Sequence, residues 1–225
     1  MRVAIHQPNY APWCGYFAKM AHCDLFIFLD DVQMPNGRSY VSRCRIAGPT
    51  GAAWLSVPVH HSRDERILTV RFADPKWPQR HLRTLQARYG RAPHYAEVMR
   101  QLRPLYADPG ETLCAFNLRL IATIRACLGL TCPVRCASEL GVPGQGDDRL
   151  LALLRAVGAD CYLSGPGGQA YQDPAKFAAA GIALEVRTYT PIPYPRAGLE
   201  FVPGLSILDP LFYLGADARG LLRYG

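Results

Sequence analysis

The sequence predicts an α/β protein with a mixed sheet, strand-helix-strand units at both ends, an antiparallel hairpin insertion and a helical middle block. Three observations carry this. Near the N-terminus, two short apolar runs, Arg2 to Ile5 and Leu25 to Leu29, flank the helix-compatible segment Trp13 to His22. After it, alternating residues surround a Gly48-Pro49-Thr50-Gly51 turn, and then apolar residues return at helical spacing from Trp77 to Leu128. The 225 residues read as one domain, or as two packed lobes with residues 1–75 plus 130–225 bearing the sheet and 76–129 helical.

In chain order, Arg2 to Ile5 runs as a strand into His6-Gln7-Pro8, and Leu25 to Leu29 ends in Asp30-Asp31. A crossover helix between parallel strands puts both carboxyl ends on one sheet edge. The stretch Ser39 to Ile46 alternates as a strand, Ala53 to Val59 follows the Gly-Pro turn, and Arg66 to Phe72 is a candidate third strand. Trp77 to Tyr89, Tyr95 to Tyr106 and Thr112 to Leu128 read as helices punctuated by Pro104 and Pro109. In the last of these, Phe116, Leu120, Ile124 and Leu128 mark a core face. Pro133 to Ala137 is a strand, Asp147 or Asp148 can cap a helix through Val157, and Asp160 to Leu163 is a strand ending in Ser164-Gly165-Pro166-Gly167-Gly168. A helix around Pro174 to Ala180 leads to the strand Ile182 to Val186, and Asp209 opens the last helix after Ser206.

With 49% apolar and 19% charged residues the chain is globular. No apolar run approaches the roughly 20 residues of a membrane span. The N-terminus lacks a secretory-signal pattern, so cytoplasmic residence and reduced cysteines are expected. Of eight cysteines, Cys132 and Cys136 are the only close pair, and no paired histidines follow, so no metal site is expected. The net charge of +7 favours anionic partners. The basic residues are scattered rather than striped between aromatics, so neither a nucleic-acid nor a membrane partner is expected.

Ligands of open α/β sheets sit at the carboxyl edge. There His6 is the candidate general base and Asp30 or Asp31 its orienting carboxylate; loop and turn capping is the alternative for both. Gln7 is a candidate substrate contact. Tyr10 and Tyr16 are candidate pocket walls, Gly15 a point of close approach to the ligand, and Trp13 and Phe17 core residues. Cys14, at a helix start, is a candidate acyl carrier or a structural cysteine. Arg38, Arg43 and Arg45 are candidates for phosphate or phosphopantetheine binding, against a solvated hairpin face. His81 and Tyr89, eight apart on one helix, are candidate ligand contacts, and Asn117 is an amide in an apolar helix that needs partners. Ser164 opens a Gly-rich turn able to offer amides to an anion, although it matches neither nucleotide-loop pattern.

Several segments resemble the WbqC-like protein family: IHQPNYAPWCGYF, DLFIFLDDVQ, a Ser-aromatic-x-x-Arg stretch, ELGVPGQGDDRLLALLRAVGADCYLSGPGG, Tyr171 and FVPGLSILDPLFYLG. The likeness runs in order along nearly the whole chain; Tyr40, Ser42 and Tyr213 depart from it, standing in place of Trp, Asn and Asn. The resemblance implies a place in bacterial polysaccharide or specialised-metabolite biosynthesis, attaching an acyl or aminoacyl group to an amine such as an amino sugar. It also makes Tyr171 a candidate substrate contact.

Three functional classes follow. The first is an acyl- or aminoacyltransferase with no tightly bound cofactor. Its donor would be a phosphopantetheine thioester on an acyl or peptidyl carrier protein, and its acceptor a small-molecule amine. The second is a nucleotidyltransferase or ligase-like enzyme of the nucleotidylyl α/β type, whose His-x-Gly-His signature is absent. The third is a non-catalytic module that binds a carrier protein or a sugar nucleotide. The first is the reading adopted.

Overall fold

The computed structural model describes residues 1–37 and 39–224. The chain opens with β1 (Arg2–His6), α1 (Cys14–Ala21) and β2 (Leu25–Phe28). Next come β3 (Arg43–Gly48), β4 (Gly51–Ser56), β5 (Val59–His60) and β6 (Arg71–Phe72), and then the helices α2 (Trp77–Tyr89), α3 (Tyr95–Ala107) and α4 (Leu113–Cys127). The chain continues through β7 (Val134–Cys136), α5 (Ala137–Leu140), α6 (Gly146–Ala156), β8 (Cys161–Ser164), α7 (Pro166–Gln169), α8 (Pro174–Ala179), β9 (Ala183–Val186) and α9 (Leu208–Leu214). The protein is thus α/β, with strand-helix-strand units at both ends. Its parallel and antiparallel strands occupy separate sheets: a five-stranded parallel sheet ordered β7-β2-β1-β8-β9, and the antiparallel pairs β3-β4 and β5-β6.

Alternation along the strands sorts the core. Val3, Ile5, Leu25 and Ile27 face α6 and α8 through Leu153, Leu154 and Phe177. Ala4, Phe26 and Phe28 join Phe17 and Ala18 of α1, in a cluster that runs through α2, α3 and α4 to Phe212 of α9. From β1 the chain turns through α1 towards β2, and from β8 it turns through α8 towards β9, away from β1. The carboxyl ends of β1 and β8 therefore form the switch point at which such sheets open a crevice.

Four local expectations are corrected. The hairpin ladder starts at Arg43 rather than Ser39, because Ser39 Oγ accepts the Val41 amide at 3.1 Å and holds that stretch as a turn. Of Arg66 to Phe72 only Arg71–Phe72 pairs as a strand. The Ile67 and Leu68 amides are drawn to the Val32 and Asp30 carbonyls, both at 2.9 Å, and Ile67–Thr69 forms a 3-10 turn. Pro104 lies inside α3 without ending it. At α6 the cap position is Gln145; Asp147 instead accepts the Asp173 amide at 2.8 Å and Asp148 pairs with Lys176 at 3.1 Å, so both clamp the start of α8. Among the described residues no helix is long and apolar enough to cross a membrane.

Candidate functional site

The segments that follow all five parallel strands converge on one cleft of about 1230 Å³. His6 and Gln7 come from β1, Asp31 from β2, Ser138 from β7, Ser164 to Gly168 from β8, and Arg187 to Tyr189 from β9. Tyr16 and Lys19 of α1, Arg149 of α6 and Tyr171 line the same cleft.

His6 is half-buried, and its ring meets Tyr16 edge-on at 4.8 Å. Its Nδ1 lies 3.2 Å from the Gln7 carbonyl oxygen. A carbonyl only accepts, so Nδ1 carries the hydrogen and Nε2 presents a lone pair. Nε2 has no protein partner among the described residues. Burial, with the nearby Lys19 ammonium, pulls the imidazole down to about 3, so it is neutral throughout the physiological range. The Gln7 side-chain amide is likewise without a protein partner among the described residues. Tyr16 forms the floor: it is buried and donates its hydroxyl to the Gln7 carbonyl at 3.0 Å.

The two carboxylates after β2 part company, and neither hydrogen-bonds His6. Asp30 is sealed, accepting from the Ser138 amide at 3.0 Å and the Ser138 hydroxyl at 2.6 Å, which anchors α5 to β2. Asp31 faces the cleft but is held by Arg149 at 2.5 Å. The expected orienting carboxylate is therefore replaced by a backbone carbonyl. Adjacent residues at a strand end point to opposite sides, so only one of the two can reach the cleft.

Ser164 is buried and donates to Gln172 Oε1 at 2.9 Å, bracing the start of the Gly-rich turn, while Tyr171 stands 73% exposed at the rim. Trp13, expected in the core, is 36% exposed and lines the cleft. Gly15, expected at a close approach to ligand, lines the cleft and also makes room for that indole, which comes within 2.6 Å of where a Cβ would stand. Phe17 is in the core as expected.

The remaining candidates are not in the cleft. Cys14 is buried and its thiol is pushed up to about 12 by burial, so it supplies no thiolate at neutral pH, contrary to the acyl-carrier expectation. Tyr10 and His81 pack together: the Ser56 carbonyl 3.0 Å from His81 Nε2 makes that nitrogen the donor. Nδ1 then accepts from Tyr10 at 2.8 Å, and Tyr10 accepts from Tyr106 at 2.7 Å. Tyr89 accepts the Ala47 amide at 2.8 Å and donates to Asp209 at 3.0 Å. Asn117 donates to the Pro8 and Val41 carbonyls, both at 2.8 Å, and ties the loop after β1 to the approach to β3. Arg43 lies 3.9 Å over the Trp54 ring on the hairpin, and Arg45 reaches the Pro203 carbonyl. Arg38 lies outside the described residues.

The Lys19 ammonium and the network around Asp209, a residue read from sequence only as opening the last helix, escaped the sequence reading. Lys19 is the one charged side chain in α1, an otherwise apolar CGYFAKMA helix, and that isolation is the signal that could have found it. The Asp209 carboxylate is fully buried, receiving Arg196 through two 3.0 Å contacts and Tyr194 at 2.7 Å. It locks the segment before α9; no local pattern joins residues 13 apart across an irregular loop.

The sequence pattern of the WbqC-like protein family matches residues 7–220. The chain is 34% identical, over an alignment of 227 residues, to a Mycobacterium tuberculosis protein described as "Uncharacterized protein Rv1507c"; the match covers 99% of this chain and 98% of that one. No solved structure matches it.

Proposed function

The chain belongs to the WbqC-like protein family, and from that premise we propose that it transfers an acyl or aminoacyl group from a thioester to an amine acceptor, with His6 as proton acceptor. The observation that carries this reading is a neutral imidazole with a bare Nε2 at the switch point of a parallel sheet, in a cleft large enough for two substrates.

A neutral amine adds its lone pair to the thioester carbonyl, giving a tetrahedral intermediate with an acidic ammonium and an oxyanion. His6 Nε2 takes the ammonium proton. The C–N bond is then complete, collapse breaks the C–S bond, and the departing sulfur receives the proton from the imidazolium. The imidazole is never blocked by its own proton at neutral pH, and as a base this weak it accepts best once a neighbouring negative charge raises it towards the operating pH. Gln7 offers an amide to substrate. Cys14, held protonated, takes no part, so the nucleophile is the acceptor amine itself.

The test supplies an aminoacyl thioester and an amino sugar, and follows free thiol together with the mass of the amide. Thiol release matched by amide formation supports transfer. ATP-dependent pyrophosphate release without thioester consumption would replace it with a ligase reading.

A further inference from the structure

The cleft carries a charge excess that the transfer reading leaves unused. Its wall holds four cationic side chains, Lys19, Arg66, Arg149 and Arg187, against two carboxylates, Asp31 and Asp147. Arg149 is committed to Asp31, and Arg187 pairs with Glu185 at 2.6 Å. Asp147 is occupied by the Asp173 amide. Lys19 and Arg66 have no acidic partner among the described residues.

Lys19 is half-buried beside His6, and its ammonium lies against the turn after β8. A Cβ at Gly165 would come within 3.1 Å of Lys19 Nζ, so a side chain there would displace the ammonium. At Gly167 the same construction meets nothing within 4 Å, whereas at Gly168 it would meet the Gln172 side chain at 2.7 Å, so the turn is open at Gly167 and backed by Gln172 at Gly168. The result is a cation set on bare glycine backbone, which phosphoryl oxygens can approach closely. The second unpaired cation, Arg66, is exposed at the rim.

We infer that Lys19 and the Gly165–Gly167 turn form a phosphoryl subsite of the cleft, whose wall also carries Arg66, and that it takes a substrate bearing a diphosphate or phosphopantetheine group. Two unpaired cations match a diphosphate better than a single carboxylate. A bound phosphoryl group also acts on His6, because the Lys19 charge is one of the two causes holding that imidazole acidic. Neutralising it makes His6 a stronger base once substrate is seated. Only this last step rests on the transfer reading; the subsite itself does not.

The test is calorimetric titration of the protein with UDP, coenzyme A and inorganic pyrophosphate in turn, with uridine as the uncharged control. At least one phosphorylated probe should bind and uridine should not. Lys19→Met should weaken that binding about 10-fold or more, as for loss of a charge-assisted contact. Lys19→Arg should restore most of it, and Arg103→Gln, on the exposed face of α3, should leave it unchanged. Melting curves of each variant separate misfolding from lost contact. Preference for UDP or for coenzyme A assigns the phosphate to acceptor or donor, and either supports the site. Burial holds Lys19 at about 8, against the upward pull of the Cys23 thiol beside it, so binding should also draw in a proton near that pH, less so in Lys19→Met. Binding of none of the three, or equal binding by Lys19→Met, overturns the subsite. Retained UDP binding without any transfer would sink the reaction and leave the subsite standing.

Discussion

His6 and His81 are the same side chain with opposite fates. Burial depresses both, to about 3 and about 4. His81 spends both ring nitrogens inside an aromatic cluster of Tyr10, Trp77, Tyr106 and Phe116. His6 spends one, on a backbone carbonyl, and turns the other to a cleft. A depressed value therefore does not separate a working imidazole from a structural one. Unused hydrogen-bonding capacity beside a cavity does. Gln7 and Lys19 at the sheet edge likewise keep unspent polar groups, while Tyr89 and Asp209 between the hairpin and the helices are fully engaged.

The contrast breaks first at His6. His6→Ala should lower kcat/KM for amide formation about 10²–10⁴-fold, the usual worth of a general base, and leave the melting temperature nearly unchanged. Equal loss of activity and stability would put His6 in the same class as His81.

Next, the packed region should answer in stability. Arg196→Met leaves the buried Asp209 carboxylate without its cation, and urea unfolding should register a loss of about 3–5 kcal/mol. A loss under about 1 kcal/mol would mean that the network is not an essential lock.

The smallest effect is a pH dependence. His81 in the folded chain binds its proton only near about 4, against 6.5 for the free side chain, so between these values the unfolded state holds more protons. The stability from neutral His81 is complete above 6.5 and is lost as pH falls towards about 4, by about 3 kcal/mol from the size of the shift. Comparing this slope in the wild type and His81→Phe isolates it; an unchanged slope would place the titration elsewhere.

Much of the fold was legible because it is local. Helical spacing located α2, α3 and α4 within a residue or two, and the Gly48-Pro49-Thr50-Gly51 turn closed the expected hairpin. The carboxyl edge of β1 was legible as well, since a histidine and an amide ending an apolar strand is a local pattern. The parting of Asp30 from Asp31 was not: strand alternation says that they diverge, but only the packing of α5 says which one Ser138 captures. Tyr10, Tyr89 and Asn117 carry polar atoms that suit a site and a core alike, and their partners lie up to 120 residues away.

The sequence by itself determined the long helices, the main parallel strands, the α/β class and the polar strand ends that meet at one edge, because these follow from the period of apolar residues and from turn chemistry. Tertiary structure alone decided which polar side chains are spent and which are free. That choice depends on how segments fold back on one another: the Asp209 carboxylate of α9 is silenced by a guanidinium from the irregular segment before it, and the Lys19 ammonium is left open because no acid packs against it among the described residues.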